Sequence, residues 1–236
     1  MAETETGRRQ VRSFVRRTGR VTRAQARAAE TLWPEFGIDL TGEPLELAAA
    51  FGRDAARILE IGFGDGECLA ELALRHPERD YLGIEVHEPG IGHLLLAVEA
   101  NGARNVRCIR DDAVDVLPMI GTGQLSGVHL FFPDPWPKKR HHKRRIVQPS
   151  FFEAIARVVR PGGYLHMATD WVPYAEHMLE TGQSAAGWEN ASPTGDYVPR
   201  PDSRPETKFE RRGQRLGHDV RDLVFHRIAA ERDGSD

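Results

Sequence analysis

The stretch FFPDPWPKKRHHKRR at residues 131–145 sets one carboxylate, Asp134, between two prolines. A tryptophan follows, then six Lys or Arg and two His from Lys138 to Arg145. An acid held in a stiff turn can orient a hydrogen-bond donor or balance a developing positive charge, and the basic run beside it can attract a polyanion. The preceding GVHLFF, Gly127 to Phe132, is apolar and free of proline, so it reads as a buried strand that stops at Pro133. Asp134 therefore falls at the carboxyl edge of a strand, where open α/β sheets bind their ligands.

A second group of residues suited to ligand binding lies in ILEIGFGDGE, where Gly62, Gly64 and Gly66 follow an apolar strand and precede a helix. Glycines here permit positive φ and let a ligand approach the backbone, while the helix start offers unpaired N–H groups. The dinucleotide fingerprint would need glycine at position 67, which is Glu67, and a pyrophosphate would be repelled by Glu60, Asp65 and Glu67 together. The pattern, G-x-G-x-G preceded by Glu60, resembles that of S-adenosylmethionine-dependent methyltransferases. An acid near that cofactor's amino group and sulfonium is electrostatically favourable. Glu85, about twenty residues on at the end of the second strand, is placed to accept the ribose hydroxyls. Asp112, after the third strand, is placed for the adenine amino group, with Asp111 as its competitor.

These residues need elements to carry them. Thr22 with Gln25 forms a capping box ahead of a helix to about Leu32, which Pro34 ends. Strand-like runs then alternate with helix-like segments. The strands are Arg57 to Ile61, Tyr81 to Val86, Val106 to Arg110, Gly127 to Phe132 and Tyr164 to Ala168; the helices are Glu67 to Leu74, Pro89 to Glu99, Ala113 to Met119 and Pro149 to Val159. This predicts an α/β fold of βαβ crossovers around a mainly parallel sheet covered on both faces. A short strand near Trp188, a polar loop from Ser192 to Pro205, a helix from Lys208 and a last strand over Leu223 to Ile228 end the chain. The expected organisation is a basic N-terminal arm and helix over 1–36 and one domain over 37–236, with 192–217 overhanging the site.

The 236 residues suffice for one sizeable core. A net charge of −3 and pI near 6.4 exclude a binder that holds nucleic acid by bulk charge, so any such affinity is local. The first thirty residues nevertheless carry eight Arg against three Glu. Cys68 and Cys108 fit neither zinc spacing nor a disulfide framework and read as small buried thiols; no metal site is expected. No apolar run approaches a membrane span and the Arg-rich start lacks a secretory apolar stretch, which predicts a cytoplasmic protein.

The 131–152 segment, RSFVRRTGR at Arg12 to Arg20, ATDW at Ala168 to Trp171 and TKFE at Thr207 to Glu210 fall in the order of the bacterial tRNA (guanine-N7-)-methyltransferases, the TrmB family. The chain resembles that family from about Arg12 to Ile228. The resemblance implies a Rossmann-like class I methyltransferase fold, with seven strands of which the last is antiparallel. It implies methyl transfer from S-adenosyl-L-methionine to guanine N7 in the tRNA variable loop. By motif, Glu60, Glu85, Asp112 and Asp134 match cofactor positions, Asp134 also being the catalytic residue, and Lys138, Asp170, Thr207, Lys208, Phe209 and Glu210 match substrate positions. Two basic segments are suited to gripping phosphates: Arg140, Lys143, Arg144 and Arg145 in one, Arg16, Arg17 and Arg20 in the other. Monomer and homodimer both stay open. The rival readings are a class I methyltransferase acting on protein or a small molecule, and an RNA-binding module without catalysis.

Overall fold

The structure, a computed structural model, describes residues 13–14, 19–206, 210 and 219–229. Its centre is a seven-stranded sheet in the order β3-β2-β1-β4-β5-β7-β6, formed by β1 (Ala56–Ile61), β2 (Arg79–Ile84), β3 (Val106–Ile109), β4 (Leu125–Phe131), β5 (Val159–Thr169), β6 (Trp188–Asn190) and β7 (Arg221–Arg227). The first five strands pair in parallel, and β7 lies antiparallel between β5 and β6.

Helices α1 (Arg23–Thr31), α4 (Glu67–Arg75) and α5 (Glu88–Asn101) cover one face, packing with Ile58, and α6 (Ala113–Val116), α7 (Pro149–Val158) and α8 (Val172–Gln183) cover the other with Leu59 and Ile61. Both faces are therefore apolar, which is why the inner strands read as unbroken hydrophobic runs rather than alternating ones. The short helices α2 (Trp33–Phe36) and α3 (Leu47–Phe51) close the β3 edge, where Ile38 donates its N–H to the Cys108 carbonyl at 2.9 Å. That contact covers ladder groups an edge strand would expose.

The Thr22–Gln25 capping box forms as the sequence suggests, and Pro34 opens α2 instead of only ending α1. The segment expected as one helix over 113–119 splits into α6 and a 3₁₀ turn, Leu117–Met119, because Pro118 has no N–H to continue the α ladder. Strand β5 starts five residues early, at Val159. The RPGG sequence there looks like a turn, but Val159 pairs with Leu125 across an irregularity in register. Of the helix expected from Lys208, Glu210 is described and is helical, and its neighbours 208–209 and 211–218 lie outside the described residues.

Candidate active site

Strand order reverses between β1 and β4, and over the carboxyl ends of β1 to β4 opens a cavity of about 480 Å³. Gly62, Gly64, Glu85, Asp112 and Asp134 line it, with Ser13 and Phe14 of the N-terminal segment at its rim. Gly62 and Gly64 have φ of 71° and 60°, and a Cβ built on either meets nothing within 4 Å. They leave the loop open to a ligand, while Gly66 does a different job. A Cβ on Gly66 would lie 2.7 Å from the Leu94 Cβ, so this glycine lets α4 start against α5. Gly90, which the sequence did not single out, matters as much, because a Cβ there would sit 1.9 Å from the Gly64 carbonyl oxygen.

Glu85 holds the loop from the other side. One carboxylate oxygen accepts the Gly64 N–H at 2.8 Å, and the other accepts the N–H groups of Val86 and His87 at 2.7 and 2.9 Å. Three of its roughly four acceptor sites are thereby used, leaving room for one ribose hydroxyl rather than the expected two. Asp112 accepts the Val114 N–H at 3.1 Å, capping α6 while facing the cavity, and Asp111 accepts the Asp112 N–H at 2.7 Å.

Asp134 sits in a turn strained on both sides. Phe132 and Trp136 are the non-glycine residues with positive φ among the described residues, at 51° and 44°. Such conformations cost about 1–3 kcal/mol each and persist only where neighbours impose them. Here Phe132 donates its N–H to Ala168 at 2.8 Å, Trp136 donates its indole N–H to the Ser13 carbonyl at 2.9 Å, and Arg145 donates to the Pro135 carbonyl at 2.9 Å. Arg145 is 4% exposed and lies over the Tyr174 ring. This corrects its expected place among the RNA contacts: its guanidinium clamps the turn from beneath. Arg144 lies 4.2 Å from the centre of the Trp136 ring and so covers one of its faces.

Lys138, Arg140 and Lys143 are exposed on and beside the 3₁₀ segment Lys139–Arg144, and Arg20 is exposed ahead of α1. Arg16, Arg17, Thr207, Lys208 and Phe209 lie outside the described residues. Asp170 is half-buried just past β5 and does not border the large cavity.

Glu60 stands apart from the other acids. It faces a second cavity, of about 430 Å³, which shares Gly62, Gly64, Phe131 and Phe132 with the first and is also walled by Pro205 and Glu206. Burial pushes its carboxyl up to about 8, and the thiol of Cys68, itself raised well above its ordinary value by burial, shares a hydrogen bond with it. Its second oxygen has no hydrogen-bond partner among the described residues. Near pH 7 this acid is mostly protonated in the protein alone, so it enters the site as a neutral group.

Glu210 is buried, with both oxygens taken by Arg204, whose guanidinium also grips Asp222. His166 completes the cluster at 2.7 Å from Asp222. No motif announced Arg204 or Asp222. The available signal was weaker: an acid and a histidine standing inside otherwise apolar strands. Among the described residues no group of three His, Cys, Asp or Glu could hold a metal ion, and no helix is long and apolar enough to cross a membrane.

A parallel sheet ending in an antiparallel β7, with an open glycine loop at its switch point and acids on the next two strand ends, defines a class I methyltransferase fold. The solved 16S rRNA methyltransferase KamB shares it with a TM-score of 0.57 at 19% identity, over 79% of this chain and 95% of that one. So does a variant of the 16S rRNA (adenine(1408)-N(1))-methyltransferase of Catenulisporales acidiphilia with cosubstrate SAM, at 0.54 and 19%, over 83% and 95%. In sequence, residues 54–223 match the family described as "Putative methyltransferase". The tRNA (guanine-N(7)-)-methyltransferase of Alkalilimnicola ehrlichii is 58% identical over 229 residues, 96% of each chain. The chain belongs to the tRNA (guanine-N(7)-)-methyltransferase family.

Proposed function

We propose that this protein transfers the methyl group of S-adenosyl-L-methionine to N7 of a guanine in the variable loop of tRNA, forming 7-methylguanosine. The observation that carries the reading is the position of Asp134: it borders the large cavity from a strained turn that leads into the basic run, exposed at Lys138, Lys139, Arg140 and Lys143. Cofactor and polyanion sites thus meet at one carboxylate.

The cavity's donors and acceptors suit that cofactor. Glu85 takes a ribose hydroxyl, Asp112 the adenine amino group, and the open faces of Gly62 and Gly64 admit the methionine portion against the loop backbone. The cofactor supplies an electrophilic methyl group on a sulfonium. Guanine N7 already carries an in-plane lone pair, so the transfer needs no general base. The chain's task is to align the base and exclude water, which can lower the barrier by about 7–11 kcal/mol at best. A carboxylate suits this twice: it accepts hydrogen bonds from guanine N1–H and the exocyclic amine, and it favours the ring that becomes cationic. Asp134 fills this role at the cavity, with Asp170 and the 207–210 segment on the substrate side. Lys138, Arg140, Lys143 and Arg144, with Arg16, Arg17 and Arg20 of the arm, hold phosphates. The protein works in the cytoplasm, where tRNA is found.

The test is incubation of unmodified tRNA with labelled cofactor, followed by mapping of the labelled nucleotide, for the natural protein and for Asp134→Ala. Label is expected at one variable-loop guanine, as an N7 methyl, and nearly absent with the variant although the variant keeps its fold. Label on another atom, or on protein with no RNA present, overturns the substrate. Wild-type turnover by the variant removes Asp134 from the mechanism.

A further inference from the structure

We propose that Arg204 is a positioning residue for the methyl transfer, a role that rests on the function proposed above. By forking between Asp222 and Glu210 it locks the end of the overhanging loop onto the carboxyl edge of the central strands and so sets the substrate-facing wall of the site.

The fork is unusually complete. The Nε and Nη2 atoms donate to the two oxygens of Asp222 at 2.7 and 2.9 Å, while Nη1 and Nη2 donate to the two oxygens of Glu210 at 2.6 and 3.0 Å. Four bonds leave from one planar group whose side chain is wholly buried, between carboxylates that are 1% and 3% exposed. Only an arginine presents donors in a fork that matches two carboxylates at once; a lysine is a point charge that can satisfy one well. The hydrogen bonds to Glu210 and Asp222 more than offset the cost of burial and hold the guanidinium firmly charged.

Each partner belongs to a different piece of the site. Asp222 pairs in register with Ala168, two residues before Asp170, and its carbonyl accepts the Val198 N–H at 2.9 Å, so it anchors the fork to the sheet. Glu210 ends the segment carrying Thr207, Lys208 and Phe209. The guanidinium carbon lies 5.8 and 5.9 Å from the centres of the Phe131 and Phe132 rings, within reach of a cation–π contact. Phe132 is the strained residue two before Asp134. One side chain therefore ties together the β5 end with Asp170, the Asp134 turn and Glu210. Arg200, 3.7 Å from Glu210 and half-exposed, balances the second carboxylate.

A purely stabilising ion cluster would make its removal lower the number of folded molecules and nothing else. A positioning residue changes the rate of each folded molecule, so the two roles separate when rates are counted per cofactor-binding site. The experiment uses the full chain with Arg204→Lys and, as a near-isosteric second variant, Asp222→Asn. Calorimetric titration with S-adenosyl-L-methionine counts competent sites, and steady-state and single-turnover transfer to unmodified tRNA gives kcat and KM per site. Expected for both variants are an unchanged cofactor Kd, an unchanged KM for tRNA and a rate per site lower by about a hundredfold, the loss that a misplacement of about 1 Å brings. A wild-type rate per surviving site overturns the proposal, and so does a raised KM at unchanged kcat. If neither variant binds cofactor at all, the fork is a requirement of folding and the proposal falls. Wild-type protein that binds cofactor but transfers nothing to tRNA overturns the proposed function and this inference with it, whereas normal wild-type transfer with unimpaired variants overturns this inference alone.

Discussion

At the carboxyl end of β1, Glu60 is 3% exposed and faces the Cys68 thiol, with one oxygen unpartnered among the described residues; at the start of β7, Asp222 is 1% exposed and accepts hydrogen bonds from His166 and Arg204. Burial pushes both carboxyls upward. At Glu60 only the hydrogen bond from the Cys68 thiol opposes it, Asp65 and Glu85 add to the rise, and the group reaches about 8. At Asp222 the hydrogen bonds from His166 and Arg204 outweigh burial, and the group falls below its ordinary value. Two acids at equal depth thus differ in charge near neutral pH because one has a cation to meet and the other does not. The ionised acid serves as an anchor, while the neutral one is poised to respond to a cation that arrives.

The comparison breaks most visibly by deleting a partner. Asp222→Ala leaves His166 and half of the Arg204 fork buried without an acceptor, and is expected to cost about 3–5 kcal/mol in urea unfolding at pH 7. Glu60→Gln removes no charge pair, so a similar loss there at pH 5 would show that the two sites are alike after all.

The next effect is the opposite tilt of stability with pH. Because the Glu60 pKa is raised on folding, the native state binds more protons than the unfolded chain between about 4.5 and about 8, and stability falls as pH rises through that window. Glu60→Gln should abolish the fall, matching the natural protein near pH 5 and exceeding it near pH 8 by a few kcal/mol; melting curves at several pH values read the difference. Asp222 acts the other way, contributing stability above its unfolded pKa that is lost as pH falls through its lower folded value. Parallel curves for wild type and Glu60→Gln would remove the distinction.

The smallest effect sharpens the idea of a responsive acid. A cationic cofactor near Glu60 favours its ionised form, so binding of S-adenosyl-L-methionine at pH 7 should release a fraction of one proton. Calorimetry in two buffers of different ionisation heat measures it, and Glu60→Gln should abolish the buffer dependence. Equal heats for the natural protein would mean that Glu60 stays neutral in the complex.

Much of the first region was legible along the chain. The glycine loop, Glu85, Asp112 and Asp134 each follow an apolar run at a strand end, and a parallel sheet places successive strand ends side by side; reading the strands therefore predicted the cavity. What the strands did not disclose was how the acids are used. Glu85 spends most of its acceptors on the loop backbone, Gly66 and Gly90 serve packing, and Glu60 faces the second cavity, because one more residue along a strand turns a side chain to the other face. Arg145 misled for a related reason. In a run of six cations every member reads as surface, and only the fold shows which one turns inward to clamp the Pro135 carbonyl.

The sequence by itself determined the α/β class, the order of elements, the glycine loop and the family, because these rest on local periodicity and on motifs whose residues lie close together in the chain. The tertiary structure alone decided the cluster of Arg204, Asp222, His166 and Glu210. Its members come from β5, β7 and the stretch between β6 and β7, up to 56 residues apart, and carry no pattern until the sheet brings them together. Whether a buried acid is charged depends on what lies within hydrogen-bond reach across such distances, and Glu60 and Asp222 look alike until that is known.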